Sequence, residues 1–252
     1  MAITIAVINQ KGGVGKSTTA AALATGLTRK GHSVLAVDMD AQGNLSFCMG
    51  ANTRGASVLG VMMGEIRADA AIQHTAQGDV IASSKALAGA DAYITETGRE
   101  YRLREALEGV QGAYEYIVID TPPALGVLTV NALAACQRVI IPAQAEVLSL
   151  QGIEQLWDTI QPVKKYCNPA LTVDGILLTR YNARTVLSRD VRELMEQLAQ
   201  RMDTKIFTTT IRASVSVMEA QAMQQSLYDY APRSKVAADY LALISELTES
   251  EV

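Results

Sequence analysis

A glycine-rich turn joins the first apolar segment of the chain to the first helical one. The turn has the sequence KGGVGKST at residues 11–18, shortly after the apolar run Ile3–Ile8, which is typical of a buried parallel strand. The alanine and leucine content of Thr19–Arg29 predicts a helix on its other side. Such a turn points successive backbone N–H groups at one place, where the helix dipole also favours negative charge. The segment therefore predicts a binding site for phosphate groups.

The individual residues of the turn suit the phosphates of a nucleotide. Gly12, Gly13 and Gly15 permit positive φ and close approach of the backbone to a ligand. Lys16 would reach the β- and γ-phosphates, and the Ser17 hydroxyl would be a ligand of Mg²⁺. An ordinary strand-to-helix turn is the alternative, but the glycines, the lysine and the hydroxyls all fall in register. The residues predicted to bind the nucleotide are Lys11, Gly12, Gly13, Val14, Gly15, Lys16, Ser17 and Thr18.

Length and composition are those of an ordinary globular protein. With 252 residues, 49% of them apolar and 19% charged, the chain is long enough for one large domain with a sizeable core. The net charge of −4 gives no overall attraction to nucleic acid, so DNA binding would need a local basic patch. Cys48, Cys136 and Cys167 have no CxxC spacing, and no apolar run is long enough to span a bilayer. We expect a soluble cytoplasmic protein with reduced thiols.

Aspartates follow two further apolar segments. The run Ser33–Val37 leads into Asp38 and Asp40, and Tyr114–Ile119 ends in Asp120. The carboxyl ends of parallel strands meet in the crevice where open α/β sheets bind their ligands. We predict that Asp38 and Asp120 belong to the Mg²⁺ shell and that Asp40 orients the attacking water. For Asp38 and Asp40, the alternative is that they cap a helix and form a turn. For Asp120, an apolar strand that ends in aspartate is by itself weak evidence of a metal site.

Strand-like and helical segments alternate along the rest of the chain. Strands are predicted at Asp79–Ser83, Arg138–Pro142, Thr172–Thr179 and Lys205–Phe207. Helices are predicted at Arg99–Val110, Gly126–Ala135, Val186–Arg201 and over the tail 234–252, which ends in acidic residues. A further helical stretch, Glu146–Tyr166, is predicted to be interrupted by Gly152 and Pro162. Residues 45–96 show only short pieces, where His74 has no partner at metal-ligand spacing and is expected to be a surface residue. We therefore predict one α/β domain over residues 1–252, with a mostly parallel twisted sheet and helices on both faces.

Basic residues collect between positions 180 and 212. Seven basic residues stand there against four acidic ones, a local excess of three positive charges. A solvated helix face explains this excess as well as a DNA-binding surface does. The basic residues are Arg180, Arg184, Arg189, Arg192, Arg201, Lys205 and Arg212.

In this order, the segments resemble the ParA/Soj family of deviant Walker-A ATPases, which segregate plasmids and chromosomes. The matching stretches are INQKGGVGKST, VDMDAQGN, YIVIDTPPALGVLTVNAL, LLTRYNART and YDYAPRSKVAADYLAL, which cover nearly the whole chain. Gln10 stands where the common phosphate-loop pattern has glycine, and Lys11 is a second lysine of the loop. The resemblance implies a single-domain P-loop NTPase that hydrolyses ATP with Mg²⁺, in the short form without an N-terminal helix-turn-helix domain.

The resemblance also implies a homodimer. In that family two ATP-bound subunits associate face to face, and a signature lysine, matched here by Lys11, reaches the phosphates across the interface. A cation supplied in trans stabilises charge on the transferred phosphoryl group much as an arginine finger does. The catalytic residues implied by the resemblance are Lys11, Lys16 and Asp40.

The family's ATP dimer binds DNA without sequence preference, and a centromere-binding partner, ParB, stimulates its hydrolysis. Such a protein would be associated with the nucleoid and would bind DNA through salt-sensitive phosphate contacts. Arg184 matches a DNA-contacting arginine of relatives, whereas a second such arginine falls at Ser216. Arg212 is a candidate to compensate from one side.

Two other functions stay open at this point. A MinD-like switch would use the same ATP dimer to position a protein cargo without DNA, and the altered segment 212–216 motivates that hypothesis. A metabolic enzyme of the same superfamily, such as a ligase or an iron–sulfur reductase, would need a substrate pocket or a suitable cysteine pair. The three cysteines do not resemble such a pair.

Overall fold

One sheet of seven strands organises the fold. The computed structural model describes residues 2–249, so positions 250–252 of the predicted tail helix lie outside the described residues. The order across the sheet is β3-β4-β2-β5-β1-β6-β7, and every neighbouring pair is parallel except β3 with β4. The strands are β1 (Ile3–Val7), β2 (Val34–Asp38), β3 (Ile72–Thr75), β4 (Gly78–Ile81), β5 (Tyr116–Asp120), β6 (Arg138–Ala143) and β7 (Thr172–Leu178).

Helices connect most of the strands. They are α1 (Lys16–Arg29), α2 (Asn44–Cys48), α3 (Val58–Met62), α4 (Ala68–Ala71), α5 (Ala90–Tyr93), α6 (Arg102–Leu107), α7 (Val127–Ala135), α8 (Val147–Tyr166), α9 (Val186–Arg201), α10 (Val215–Ala222), α11 (Leu227–Tyr230) and α12 (Lys235–Glu249). Short 3₁₀ turns occupy Lys85–Gly89 and Arg99–Tyr101. Among the helices of the described residues, none combines the length and the hydrophobicity needed to cross a membrane.

Alternate residues of the central strands face two different hydrophobic cores. In β5, Ile117 and Ile119 belong to one core, whereas Val118 belongs to the other. Helices α7, α8 and α9 pack into the first core, and α1 and α12 pack into the second. The predicted α/β architecture, with a mostly parallel sheet and helices on both faces, is confirmed.

The segment between α4 and β4 differs from the prediction. It contains an additional edge strand, β3, which pairs with β4 as an antiparallel hairpin. The hairpin places His74 opposite Asp79, and His74 Nδ1 lies 2.6 Å from Asp79 Oδ1. His74 is exposed, as expected. The strand predicted at Lys205–Phe207 is reduced to one isolated bridge between Ile206 and Ile176.

Helix α8 runs through Gly152 and Pro162 without the predicted interruption. Its buried residues are spaced four and three positions apart and form one stripe along the helix. This stripe faces the first core and stabilises the helix beyond what the local breakers cost. The stripe consists of Ser149, Ile153, Leu156, Ile160 and Val163.

Candidate functional site

The phosphate loop lies between β1 and α1, as the sequence predicts. Gly13 and Gly15 adopt left-handed φ angles of 75° and 92°, which strain any residue that carries a Cβ. Gly12 has an ordinary φ, and open space surrounds the position that its Cβ would take. The helix begins at Lys16, earlier than predicted, so the unpaired N–H groups of its first turn lie at the loop. The backbone therefore has the form of an anion-binding site.

The Lys16 side chain is buried at the base of the loop. The residue is 7% exposed, and its Nζ donates a hydrogen bond to the Lys11 carbonyl oxygen at 3.3 Å. Burial lowers the pKa of Lys16, while the carboxylates of Asp120 and Asp40 act in the opposite direction. A partly desolvated cation of this kind attracts a phosphate group more strongly than an exposed lysine does.

The strands β2 and β5 end side by side and bring Asp38 and Asp120 together. The two residues are direct partners in the parallel ladder, and both are fully buried. The backbone N–H and the hydroxyl of Ser46 both donate to Asp38 at 2.7 Å, and the Asp40 N–H donates at 3.1 Å. Burial nevertheless raises the pKa of Asp38 to about 6.

Asp120 has unused hydrogen-bonding capacity. Across residues 2–249, no group donates a hydrogen bond of normal geometry to either of its buried carboxylate oxygens. Burial and the Asp38 carboxylate raise the pKa of Asp120 well above its ordinary value, whereas the nearby Ser17 hydroxyl and Lys16 lower it. Buried acceptors without a protein donor usually have another partner, such as an ion or a water.

These side chains fit a magnesium ion that arrives with a nucleotide. Mg²⁺ prefers oxygen ligands and commonly binds through one or two carboxylates, several waters and substrate phosphates. Ser17, Asp120 and Asp38 supply such oxygens beside the phosphate loop. In the described part of the chain, no group of three or more His, Cys, Asp or Glu side chains could hold a metal by itself. The metal-binding role of these three residues stays a prediction.

Two serines that the sequence analysis did not single out hold the aspartates in place. The Ser83 hydroxyl donates to the Asp40 carbonyl oxygen, and the Ser83 N–H donates to the Ser46 hydroxyl at 2.9 Å. Asp40 itself is 8% exposed, lines the cleft, and accepts a hydrogen bond from the Gln42 N–H at 3.0 Å. Ser83 lies just after β4, so its position at a strand end could have indicated that it lies near the aspartates. The role of Ser46 could be recognised only once the fold was known.

Lys11 pairs with a carboxylate outside the phosphate part of the cleft. Its Nζ forms an ion pair with Glu146, the residue just before α8, and both side chains are partly exposed. The Lys11 backbone N–H donates to Asn9 Oδ1 at 2.9 Å, which fixes the start of the loop. Gly12 and Lys16 line the phosphate part of the cleft, whereas Lys11 does not.

The cleft beside the loop has two connected parts. The first, with a volume of about 540 Å³, is lined by the phosphate loop and Asp40. The second, about 430 Å³, is lined by Ile211, Val217 and Tyr240 among others. Because the second part is mostly apolar, it suits a base, while the first suits a charged phosphate chain. Residues 211–215, 217 and 218 therefore form a wall of this apolar part, the candidate base site.

Comparisons with known proteins agree with this geometry. A family model described as an AAA domain matches residues 2–173. The sporulation initiation inhibitor protein Soj of Bacillus subtilis is 39% identical over 248 residues, covering 96% of this chain and 97% of Soj. The chromosome partitioning protein ParA of Caulobacter vibrioides is 38% identical over 254 residues, covering 98% of this chain and 94% of that protein. The chain belongs to the ParA/Soj family of P-loop ATPases.

Solved structures show the same fold for this ParA/Soj family member. A cobyrinic acid a,c-diamide synthase from Mycobacterium smegmatis with bound ADP and magnesium matches with a TM-score of 0.85 at 36% identity. The match covers 98% of this chain and 94% of the synthase. Apo McdA from Cyanthece matches with a TM-score of 0.88 over 98% of this chain and 100% of McdA. Its identity of 21% supports the fold alone.

The two arginines predicted to contact DNA are placed differently. Arg184 lies in the exposed loop before α9, and no carboxylate within residues 2–249 pairs with its guanidinium. Arg212 instead forms a bidentate ion pair with Asp239 of α12, with distances of 2.7 and 2.8 Å. Because Asp239 neutralises Arg212, the geometry does not favour the idea that Arg212 compensates for the arginine replaced by Ser216.

Replacing Asp120 with asparagine is expected to stabilise the nucleotide-free protein. In the pH range between 3.8 and the raised pKa of Asp120, the native state binds more protons than the unfolded state, so wild-type stability falls as the pH rises. An amide does not ionise and avoids this loss. We expect Asp120→Asn to be more stable by on the order of 1–3 kcal/mol at neutral pH, with a smaller gain near pH 4.

Urea unfolding with EDTA from about pH 4 to pH 8 measures this difference in the free energy of unfolding. Asp158→Asn on the exposed side of α8 removes the same charge and serves as the control. A variant that is less stable than wild type, or a gain that does not grow with pH, would show that Asp120 is satisfied in the native state.

Proposed function

We propose that this ParA-like ATPase is a dimerisation switch that binds DNA without sequence preference and hydrolyses ATP faster with a ParB-like partner. Family membership supports the ATPase activity. The relatives named for chromosome partitioning and for inhibition of sporulation initiation support a role in DNA partitioning. ATP with Mg²⁺ is supported by the synthase structures solved with ADP or an ATP analogue and magnesium.

The position of Lys11 is the observation that carries the dimer proposal. Two lysines of one loop diverge: Lys16 Nζ turns back to the loop backbone, whereas Lys11 pairs with Glu146 outside the phosphate cleft. The ion pair is partly exposed, so exchanging Glu146 for another anion costs little. A phosphate held by a second copy of the chain is such an anion. Lys11 would then complete the partner's site and make association depend on ATP.

Hydrolysis would follow from groups already fixed at the strand ends. Lys16 and, from the other subunit, Lys11 stabilise negative charge on the transferred phosphoryl group. Asp40, at the edge of the cleft, accepts a hydrogen bond from the attacking water and orients it. Magnesium, when bound, neutralises charge on the phosphate oxygens, and Ser17, Asp120 and Asp38 hold or orient its ligands. Because Asp38, Asp40 and Asp120 are buried, their carboxylates have little freedom to move away from the phosphate loop.

DNA binding is expected to depend on Arg184 and not on Arg212. Arg184→Ala removes an exposed cation that is free to contact a phosphate, so we expect the DNA affinity of the ATP-bound protein to fall by about tenfold at low salt. Arg212→Ala removes a cation that Asp239 already neutralises, so the affinity should change by less than about twofold. Co-sedimentation or fluorescence anisotropy with a random-sequence duplex measures both variants, with ATPγS to prevent hydrolysis.

The same assay separates this proposal from a MinD-like switch. A protein that positions a cargo without DNA would form the ATP dimer and leave the duplex unbound at every salt concentration. Equal losses of DNA affinity for Arg184→Ala and Arg212→Ala would contradict the surface proposed here. They would show that binding depends on the net charge of the protein and not on the position of the arginine. The altered segment 212–216 is the reason to test this alternative first.

A biosynthetic activity is the remaining candidate, since one structural relative carries the name of a synthase. The cleft beside the phosphate loop has parts that suit the phosphates and the base of a nucleotide. Hydrolysis of ATP stimulated by DNA and a ParB-like protein, without a small-molecule acceptor, would favour partitioning.

A further inference from the structure

Arg180 has an unusual backbone conformation for its place in the fold. Within the described residues, three residues other than glycine have positive φ: Arg180 at 49°, Asp203 at 49° and Gln224 at 51°. Asp203 and Gln224 lie just beyond the ends of α9 and α10, where a left-handed residue commonly ends a helix. Arg180 follows a strand, β7, so helix termination does not explain its conformation. Non-glycine residues held in this region cluster at functional sites.

Hydrogen bonds on both sides hold Arg180 in this conformation. The hydroxyl of Thr179 donates to the Val14 carbonyl oxygen of the phosphate loop at 2.8 Å, and its N–H donates to Ala143 at 2.8 Å. The N–H of Tyr181 donates to the Ile211 carbonyl oxygen at 3.0 Å. The chain around Arg180 is thus fixed to the loop on one side and to the wall of the base site on the other.

Arg180 lies where the two parts of the cleft meet. Arg180 lines both parts, as do Gly15, Thr18 and Gln221, and the Gln221 amide donates to the Thr18 hydroxyl at 2.9 Å. Arg180 is exposed, and in the described chain its guanidinium has no carboxylate partner. Arg212, which lines the base part alone, is neutralised by Asp239. Arg180 is therefore the unpaired arginine at the junction.

We propose that Arg180 binds the nucleotide at the junction of base and phosphates, through charge-assisted hydrogen bonds to the α-phosphate. The inference rests on the proposed nucleotide site and adds a binding residue outside the phosphate loop. Arginine presents several N–H donors in a planar fork that suits phosphate oxygens. The fixed backbone places Arg180 between the two parts of the cleft. Because ADP and ATP share the α-phosphate, both depend on Arg180.

Isothermal titration of ADP and ATPγS into the full chain tests the proposal. Arg180→Gly removes the side chain and adopts the left-handed backbone conformation without strain. Arg180→Asn removes the charge, and asparagine tolerates the left-handed conformation better than most residues do. We expect both variants to bind each nucleotide about tenfold more weakly than wild type, and Arg180→Lys to lose less. Asp203→Gly, which relaxes an equal φ beyond α9, is the control and should bind like wild type.

Unchanged ADP affinity in both Arg180→Gly and Arg180→Asn would overturn the proposal. Loss of ATPγS-dependent dimerisation with intact ADP affinity would also overturn it, since Arg180 would then act across the subunit interface. Wild-type chain that binds neither nucleotide would refute the proposed nucleotide site itself, which is distinguishable from a specific loss at Arg180. Thermal unfolding confirms that each variant is folded, and we expect Arg180→Gly to be no less stable than wild type.

Discussion

Lys16→Ala is expected to abolish nucleotide binding, with the affinity for ATP and ADP reduced by a factor of about 100 or more. Lys16 is a buried cation at the base of the loop, and its two carboxylate neighbours do not form an ion pair with it at short range. Its ammonium is therefore available for charge-assisted hydrogen bonds to the phosphates, each of which contributes about 1.5–3 kcal/mol. Two such bonds correspond to the expected loss.

Titration calorimetry with ADP measures this effect without interference from hydrolysis. Lys16→Met keeps the bulk of the stem and separates the loss of charge from the loss of packing. Lys30→Ala removes an exposed lysine just beyond the other end of α1 and is the control. Affinity within about threefold of wild type in Lys16→Ala and Lys16→Met would show that the loop does not bind phosphate through this residue.

Lys11→Ala is expected to separate nucleotide binding from hydrolysis. Because Lys11 lies outside its own phosphate cleft, the ADP affinity should stay within about threefold of wild type. The turnover of ATP should fall by about 100-fold or more, since a cation supplied in trans to a transferring phosphoryl group typically accelerates the reaction by at least this factor. Steady-state release of phosphate at saturating ATP measures the turnover.

Lys30→Ala again controls for the loss of one positive charge. Arg180→Gly should show the opposite pattern, with weaker nucleotide binding and turnover restored at high ATP. A Lys11→Ala protein that binds ADP 100-fold more weakly would contradict the account, because Lys11 would then serve its own loop. Unchanged turnover at saturating ATP would contradict the catalytic assignment.

Features set by local chemistry were predictable from the sequence. The phosphate loop needs glycines at left-handed positions and a lysine at the start of a helix, and both requirements are visible in consecutive residues. The pairing of Asp38 with Asp120 follows from two apolar strands that end in aspartate, since parallel strands place their carboxyl ends at one edge. The family resemblance, carried by these motifs and by the C-terminal segments, is confirmed.

Features set by distant contacts were not predictable. The Lys11–Glu146 pair joins residues 135 positions apart, and the Arg212–Asp239 pair depends on where α12 packs. The conformation of Arg180 depends on hydrogen bonds from three separate segments. Helix α8 passes Pro162 because a buried stripe outweighs a local breaker. In each case the conformation or the partner of a residue depends on tertiary packing and cannot be inferred from its neighbours in the sequence.

The mass of the ATP-bound protein tests the central claim most directly. The chain has a mass of 26.9 kDa, and multi-angle light scattering with ATPγS and Mg²⁺ should report twice that value for wild type and the single-chain value with ADP. Lys11→Ala should stay at the single-chain mass while it still binds the nucleotide. Wild type that remains monomeric with bound ATPγS, or Lys11→Ala that dimerises like wild type, would contradict an ATP switch completed by Lys11 of the second subunit.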